Sequence, residues 1–275
     1  MRFGLFGVNF GPLADPERQR RVVLAAEETG FESVWTGEHV VLPVKDNPVA
    51  IPAETPFLDS LVALTRIAGF TQRVKLATGI LVLPHHNPVL LAKALASLDV
   101  VSGGRLIAGF GGGYAEAEFQ ALGVDFHRRG AKTDDALRAL RALWTQDEPA
   151  HRGPFASFAG VRFEPKPVQR PHPPILFGGA TAQGRARVVE YCDGWIPIDV
   201  LLDDLPAAIA DLRRRADAAG RGRDALPVSV FAFQPPKPDA LARLQDLGVE
   251  RVTLVAPRRL ADALPFLDRM ASLKL

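Results

Sequence analysis

The chain has 275 residues, of which 47% are apolar and 23% charged, with a formal net charge of +2. That balance excludes a disordered chain, and the absence of a basic arm or aromatic–basic interleaving leaves nothing that points to nucleic acid. The one cysteine, Cys192, rules out an internal disulfide and a multi-cysteine metal site, and no apolar run reaches the ~18 residues of a membrane span. The first residues run directly into a strand pattern without a signal-peptide layout, so a cytoplasmic location is the expectation.

Short apolar runs bounded by Gly, Pro or Asp predict strands at 3–8, 33–36, 74–79, 106–110, 175–177, 194–197, 228–233 and 252–255. Helical patterns lie between them, at 16–29, 58–71, 88–102, 115–122, 129–144, 181–191, 203–219, 239–247 and 258–273. The first is the clearest. Asp15 can cap it, Pro16 takes the first helical position, Val22, Val23, Ala25 and Ala26 form one face, and Gly30 ends it. Strands alternating with helices imply a parallel sheet. Eight strands in one domain, 1–275, favour closure into an α/β (β/α)8 TIM barrel over an open doubly wound sheet. Two insertions break the alternation, 40–56 after strand two and 147–174 before strand five. The second reads as containing a hairpin of 155–158 and 161–163 around Ala159-Gly160. Loops this long commonly bind or cover something.

The chemistry of a barrel sits at the C-terminal ends of its strands. There strand one delivers Asn9, strand two Glu38 and His39, and strand three Thr78, Gly79 and Ile80. Strand four delivers Gly111, Gly112, Gly113 and Tyr114, strand five Gly178, Gly179 and Ala180, and strand six Asp199. A histidine side chain can gain or lose a proton near neutral pH, so His39 reads either as a proton donor beside a ring cofactor or as a loop histidine packed on Trp35. Thr78-Gly79 is either a plain strand exit or room for a flat ring. Gly111 to Gly113 make either a tight turn or a phosphate cradle opening a helix, and the second glycine exit at 178–179 favours the cradle. Tyr114 follows the triplet where Gly-x-Gly-x-x-Gly needs glycine, and no acidic residue follows at the ribose distance, which disfavours a nicotinamide site.

Other candidates have plainer readings. His85 and His86 are neighbours whose side chains point apart, with no third ligand at metal spacing, so no metal is expected. Glu116 and Glu118 suit a helix N-terminus, although Glu118 could instead turn into the mouth. Arg128 and Arg129, beside His127, form a solvated face or contact an acidic cofactor tail. No Ser, His and Asp fall into a nucleophile-elbow context. The mouth is expected to be apolar around Phe6, Phe57, Leu81 and Phe110.

Three runs, GFESVWTGEH, VKLATGILVLPHHNPVLLAKALASLDVVSGGRLIAGFGGGYAEAEFQALG and EPKPVQRPHPPILFGGAT, resemble the bacterial luciferase-like oxidoreductases. Within these the chain is most similar to the branch of coenzyme F420 (deazaflavin)-dependent oxidoreductases, over roughly 2–198. The resemblance implies a barrel that binds a flavin or deazaflavin at its C-terminal mouth and moves a hydride between coenzyme F420 and a small organic substrate. Its alternatives are an FMN-dependent monooxygenase and a non-catalytic flavin- or deazaflavin-binding barrel. It further implies a homodimer and a non-prolyl cis peptide near Gly79-Ile80. The phosphate and ribityl chain would be held by Gly111, Gly112 and Gly113 and by Gly178, Gly179 and Ala180. His39, with Glu38 beside it, takes the catalytic position facing the ring. The chain departs from the family in having Glu38 where aspartate is common and Tyr114 where tryptophan is frequent. Residues that bind a sugar phosphate in some members have no match, so no sugar substrate is implied.

Overall fold

The computed structural model describes residues 1–45, 51–198, 204–257 and 259–273. The first half runs β1 (Arg2–Phe6), α1 (Pro16–Glu28), β2 (Ser33–Thr36), α2 (Ser60–Ala68), β3 (Lys75–Thr78), β4 (Leu81–Val82), α3 (Pro88–Val101), β5 (Leu106–Gly111), α4 (Glu116–Ala121) and α5 (Arg129–Thr145). The second runs β6 (His151–Arg152), β7 (Ser157–Phe158), β8 (Ile175–Gly178), α6 (Ala182–Tyr191), β9 (Gly194–Ile196), α7 (Leu205–Ala218), β10 (Val228–Ala232), α8 (Pro238–Asp246), β11 (Val249–Val255) and α9 (Leu260–Ser272). Neighbouring strands pair in parallel in the order β3-β2-β1-β11-β10-β9-β8-β5, and β5 pairs back onto β3. The sheet therefore closes into the eight-stranded barrel that the sequence predicts, with helices around it.

The eight predicted strands and nine predicted helices all form, with ends displaced by no more than three residues. The helix starts follow the local chemistry. Asp15 accepts from Arg18 N at 2.9 Å, Asn87 from Val89 N at 2.9 Å, and Asp59 from Leu61 N and Val62 N at 2.9 Å. Pro16 and Pro88 follow two of these caps.

Strand residues alternate between two apolar environments, as a pleat requires. One face packs outward on the helices in a large core. The other fills the barrel with Trp35, Ala77, Ile107, Leu176, Ile196 and Phe231. At the N-terminal end of the strands a buried fork links Arg251 to Glu32, with contacts of 2.8 and 3.0 Å, and Arg251 Nη1 also donates to Ser229 Oγ at 2.7 Å. Burial would push the Glu32 carboxyl up, but the Arg251 guanidinium outweighs it and holds the group below its ordinary value.

The insertion hairpin forms elsewhere than expected. β6 and β7 pair antiparallel, His151 opposite Phe158, around a turn at Gly153-Pro154. A tertiary contact decides this. Asp135 of α5, fully buried, accepts from the Phe155 and Ala156 amides at 3.0 and 2.9 Å and contacts His151 Nε2 at 2.9 Å. The hairpin is thereby set one turn earlier than Ala159-Gly160.

Candidate functional site

The mouth begins where β3 meets β5. Ala77 pairs with Ile107 and Leu81 with Phe110, four chain steps against three, so the β3–β4 side carries an extra residue. The Gly79-Ile80 peptide inside this bulge is cis, at the place the resemblance implies. Thr78 fills the gap in the ladder, since its hydroxyl donates to Gly109 O and accepts from Gly109 N, both at 2.8 Å. Gly109 must be glycine here, because a Cβ would lie 1.9 Å from the Thr78 carbonyl oxygen. The Thr78 side chain is thus a strut between strands, its hydroxyl spent on the neighbouring backbone.

Beyond the bulge Ile80 stands half-buried over the barrel core, and Phe6 and Ile198 share that level. These three make an apolar floor. Leu81 and Phe110, expected in the mouth, point outward instead and are buried in the helix-facing core. The pleat explains this, since they pair with each other one residue out of phase with Ile80. Around the floor, Gly111 lies so near Ile80 that a Cβ would come within 2.7 Å of its Cδ1, while Gly112 faces open space. Gly113 has φ +76°, and a Cβ there would strike Val82 and Phe119. Gly178, Gly179 and Ala180 leave β8 on the next side, with Gly179 exposed. α4 is a single short helix with Glu116 and Glu118 in its first turn.

Five residues named from the sequence form two separate ionisable groups. Glu38 turns away from His39. Its carboxylate accepts from Val82 N at 2.6 Å and contacts His86 Nε2 at 2.9 Å, tying the end of β2 to β4. Burial works against charge on His86, but the hydrogen bond and charge of Glu38, with Asp59 nearby, raise its pKa above the ordinary histidine value. Glu38 therefore positions the strand that carries Ile80. His39 pairs instead with Glu118, a residue of α4: Nδ1 lies 3.3 Å from Oε2, while Nε2 lies 3.0 Å from the Tyr114 hydroxyl. Glu118 also accepts from the Val40 and Val41 amides at 2.6 and 3.3 Å. Burial would raise its pKa, yet His39, the Val40 amide and the charge of His39 and His85 together hold it below the ordinary carboxylate range. An ionised Glu118 accepts from the Nδ1–H of His39, which leaves Nε2 free to accept from the Tyr114 hydroxyl. Burial, and then the Glu118 charge, push the Tyr114 phenol up to about 12, so it stays protonated at neutral pH.

Asn9 is fully buried and spends its amide on the scaffold. Nδ2 donates to Gly37 O at 2.8 Å and Leu58 O at 2.7 Å, and Oδ1 accepts from Gly37 N at 2.9 Å. It fixes the insertion after β2 to the end of β1. Its carboxamide is spent on these three backbone groups. Two aromatic residues escaped the sequence reading as a unit. Phe10 and Phe57 stack at 4.6 Å across an antiparallel bridge between those same segments. Their signal was an aromatic directly after Asn9 and another before Leu58, which only matters once the segments meet. Asp199 lies outside the described residues. Burial pushes His85 below its ordinary value, despite Glu118 and Glu38 nearby, and its ring packs on Phe119 at 4.4 Å. Arg128 and Arg129 stack on Phe155 and Phe126.

A closed parallel barrel with a glycine-rimmed apolar mouth and a His–Glu–Tyr group on its edge defines a (β/α)8 protein. The luciferase-like monooxygenase family model matches residues 1–247, and the chain belongs to that family. It is 37% identical over 260 residues to the uncharacterized protein Rv0953c of Mycobacterium tuberculosis, covering 90% of each chain. It is 32% identical over 166 residues to the FMNH(2)-dependent dimethylsulfone monooxygenase of Pseudomonas putida, covering 59% of this chain and 45% of that one. Among solved structures it resembles the monooxygenase RslO1 from Streptomyces bottropensis, with TM-score 0.71, 26% identity, and 98% and 80% of the two chains covered. An F420-dependent secondary alcohol dehydrogenase shares the fold at TM-score 0.79, with 17% identity over 99% and 98%. Among the described residues no helix is long and apolar enough to cross a membrane.

Proposed function

We propose that this chain is an oxidoreductase that moves a hydride between coenzyme F420 and a small organic substrate. The observation that carries the reading is the pairing of an apolar floor, Phe6, Ile80 and Ile198, with a proton-holding group on its rim, His39 with Glu118 and Tyr114. The residues fit a flat ring with a phosphate tail. The floor is apolar, the Gly112 backbone faces open space, and Gly178 lies beside Ile80 without a side chain to fill the space. Phe6, Ile80 and Ile198 would lie under the ring, and Gly111 to Gly113 with Gly178 to Ala180 would hold the tail. When bound, the coenzyme supplies a hydride to the substrate carbon or accepts one from it.

The remaining work falls to the chain. Reducing a carbonyl needs one proton at the oxygen as the carbon accepts the hydride. The Tyr114 hydroxyl gives that proton to the oxygen, and a His39 that has first taken up a solvent proton at Nε2, 3.0 Å away, passes it to the Tyr114 oxygen and returns to its neutral form. Glu118 fixes the tautomer and stabilises the imidazolium that forms when His39 carries the proton. The floor excludes water. Titrating the purified protein with F420 and with FMN, followed by fluorescence, tests the cofactor. Tight binding of F420 is expected, and tight binding of FMN alone would overturn the reading. His39→Ala should then lower turnover more than F420 affinity, whereas an unchanged steady-state rate would remove His39 from the mechanism.

A second reading is supported by the likeness to the dimethylsulfone monooxygenase and to the trigonelline monooxygenase of Acinetobacter baylyi, which is 31% identical over 184 residues. It is reduced FMN and oxygen in the same mouth. Exposed Val62, Val89 and Leu90 on α2 and α3 support a homodimer, which light scattering would test.

A further inference from the structure

An unbroken series of ring contacts climbs out of the barrel on the β1–β2 side. Phe231 in the interior meets Phe6 at 5.0 Å, Phe6 meets Phe10 at 5.5 Å, Phe10 stacks on Phe57 at 4.6 Å, and Phe57 meets the His39 ring at 5.3 Å. The series ends beside the Tyr114 hydroxyl, which is half-exposed. The floor accounts for Phe6. It does not account for Phe10 and Phe57, which stand above it on two irregular segments and are only partly buried.

Those segments are built to hold the two rings still. Gly11 N donates to Pro56 O and Leu58 N to Asn9 O, each at 2.9 Å. The Asn9 carboxamide ties both segments to Gly37, and Ser60 Oγ adds a bond to Gly37 O at 2.9 Å. Phe6 and Phe10 lean close over Gly37, where a Cβ would lie 3.2 Å from Phe6 and 3.5 Å from Phe10. A buried polar hub under two partly buried aromatic rings is preorganisation for a ligand rather than for core packing.

The charges beside this wall are already matched. Glu118 is satisfied by His39 and two amides, Glu38 by His86 and an amide, and Asp59 caps α2. A carboxylate substrate would face two buried anions whose cationic partners are already engaged, and a cationic one would find both anions engaged. A neutral molecule pays neither cost.

We propose that the Phe10–Phe57 pair is the substrate subsite of the mouth and takes an uncharged, flat carbonyl compound of the aryl ketone or conjugated enone class. Its plane lies on the wall and its oxygen reaches the Tyr114 hydroxyl. The assignment of the oxygen rests on the hydride-transfer reading; the shape and charge of the ligand rest on the wall alone.

Calorimetric titration of the F420-loaded protein with acetophenone tests it, against cyclohexyl methyl ketone for flatness and para-acetylbenzoate and para-acetyl trimethylanilinium for charge. Acetophenone should bind about three- to tenfold tighter than the cyclohexyl ketone, the range that an aromatic contact supplies. Both charged analogues should bind more weakly still. Phe57→Leu and Phe10→Leu should each erase the aromatic preference, and Phe57→Tyr, which keeps the ring, should retain it. Equal binding of the two neutral ketones, tighter binding of a charged analogue, or an aromatic preference that survives both leucine variants would overturn the subsite. The two proposals fail separately. Selective acetophenone binding without turnover by reduced F420 leaves the wall and removes the hydride reaction. Turnover of ketones without aromatic preference does the reverse.

Discussion

Replacing Glu118 with Gln keeps the shape of a side chain that is 2% exposed and removes its charge. The carboxylate accepts from Val40 N at 2.6 Å and Val41 N at 3.3 Å and meets His39 Nδ1 at 3.3 Å. A glutamine oxygen can still accept from Val40, so the loss is the charge assistance and the original His39 contact. Hydrogen bonds to charged groups are worth about 1.5–3 kcal/mol and neutral ones about 0.5–1.5 kcal/mol, which puts the cost at about 1–3 kcal/mol. The pH dependence has a definite sign. Glu118 has a folded-state pKa below its unfolded value, so its contribution is complete above about pH 4.3 and is lost as pH falls through the folded value. Urea denaturation of the two proteins at pH 7, and then stepwise into acid, should therefore show a gap that is full near neutrality and closes below about pH 4. Coincident midpoints at pH 7, or a gap that does not close in acid, would refute the reasoning. The glutamine amide also turns an N–H toward Nδ1. This reverses the His39 tautomer, and turnover should fall even where the protein remains folded.

Further outcomes follow from individual contacts. His86 has a raised folded-state pKa, so its bond to Glu38 stabilises fully below about pH 6.5 and is lost as pH rises through the folded value. The stability advantage of the native protein over His86→Gln in denaturant titrations should shrink from pH 6 toward pH 9, and a constant difference would contradict the pairing. Gly109→Ala places a methyl against the Thr78 carbonyl and should cost ~3 kcal/mol or more, because backbone cannot move aside cheaply. Gly112→Ala meets nothing within 4 Å, so it should leave the melting temperature unchanged while weakening F420 binding in fluorescence titration. Arg251→Met strands Glu32 in a largely buried site and should cost about 3–5 kcal/mol with little change in F420 affinity, since the fork lies at the opposite end of the barrel.

Much of the barrel was legible in the chain because each strand and helix states its own period and its own punctuation. Asp15-Pro16 and Asn87-Pro88 start helices through contacts within three residues, and those contacts form as read. The site was less legible. Placing Asn9, Glu38, His39 and Tyr114 near strand ends needed only the alternation, but naming their partners did not follow from it. Glu38 and His39 are adjacent in sequence and were read as one pair. In the barrel they point to different elements, one to β4 and one to α4. Glu118 was left between two readings because a helix N-terminus satisfies a carboxylate equally well on sequence grounds. Phe110 and Leu81 were placed in the mouth because a strand exit does not disclose its facing until its register is known.

By itself the sequence determined the succession of strands and helices and their closure into one eight-stranded barrel. These follow from local propensity, capping and hydrophobic period. Only the tertiary structure decided what the side chains do for one another. It joined His39 to Glu118 across 79 positions of chain, turned Thr78 and Asn9 into struts, and brought Phe10 against Phe57. Pairings of this kind depend on strand register and on which face of the pleat each side chain takes, and a shift of one residue reverses both.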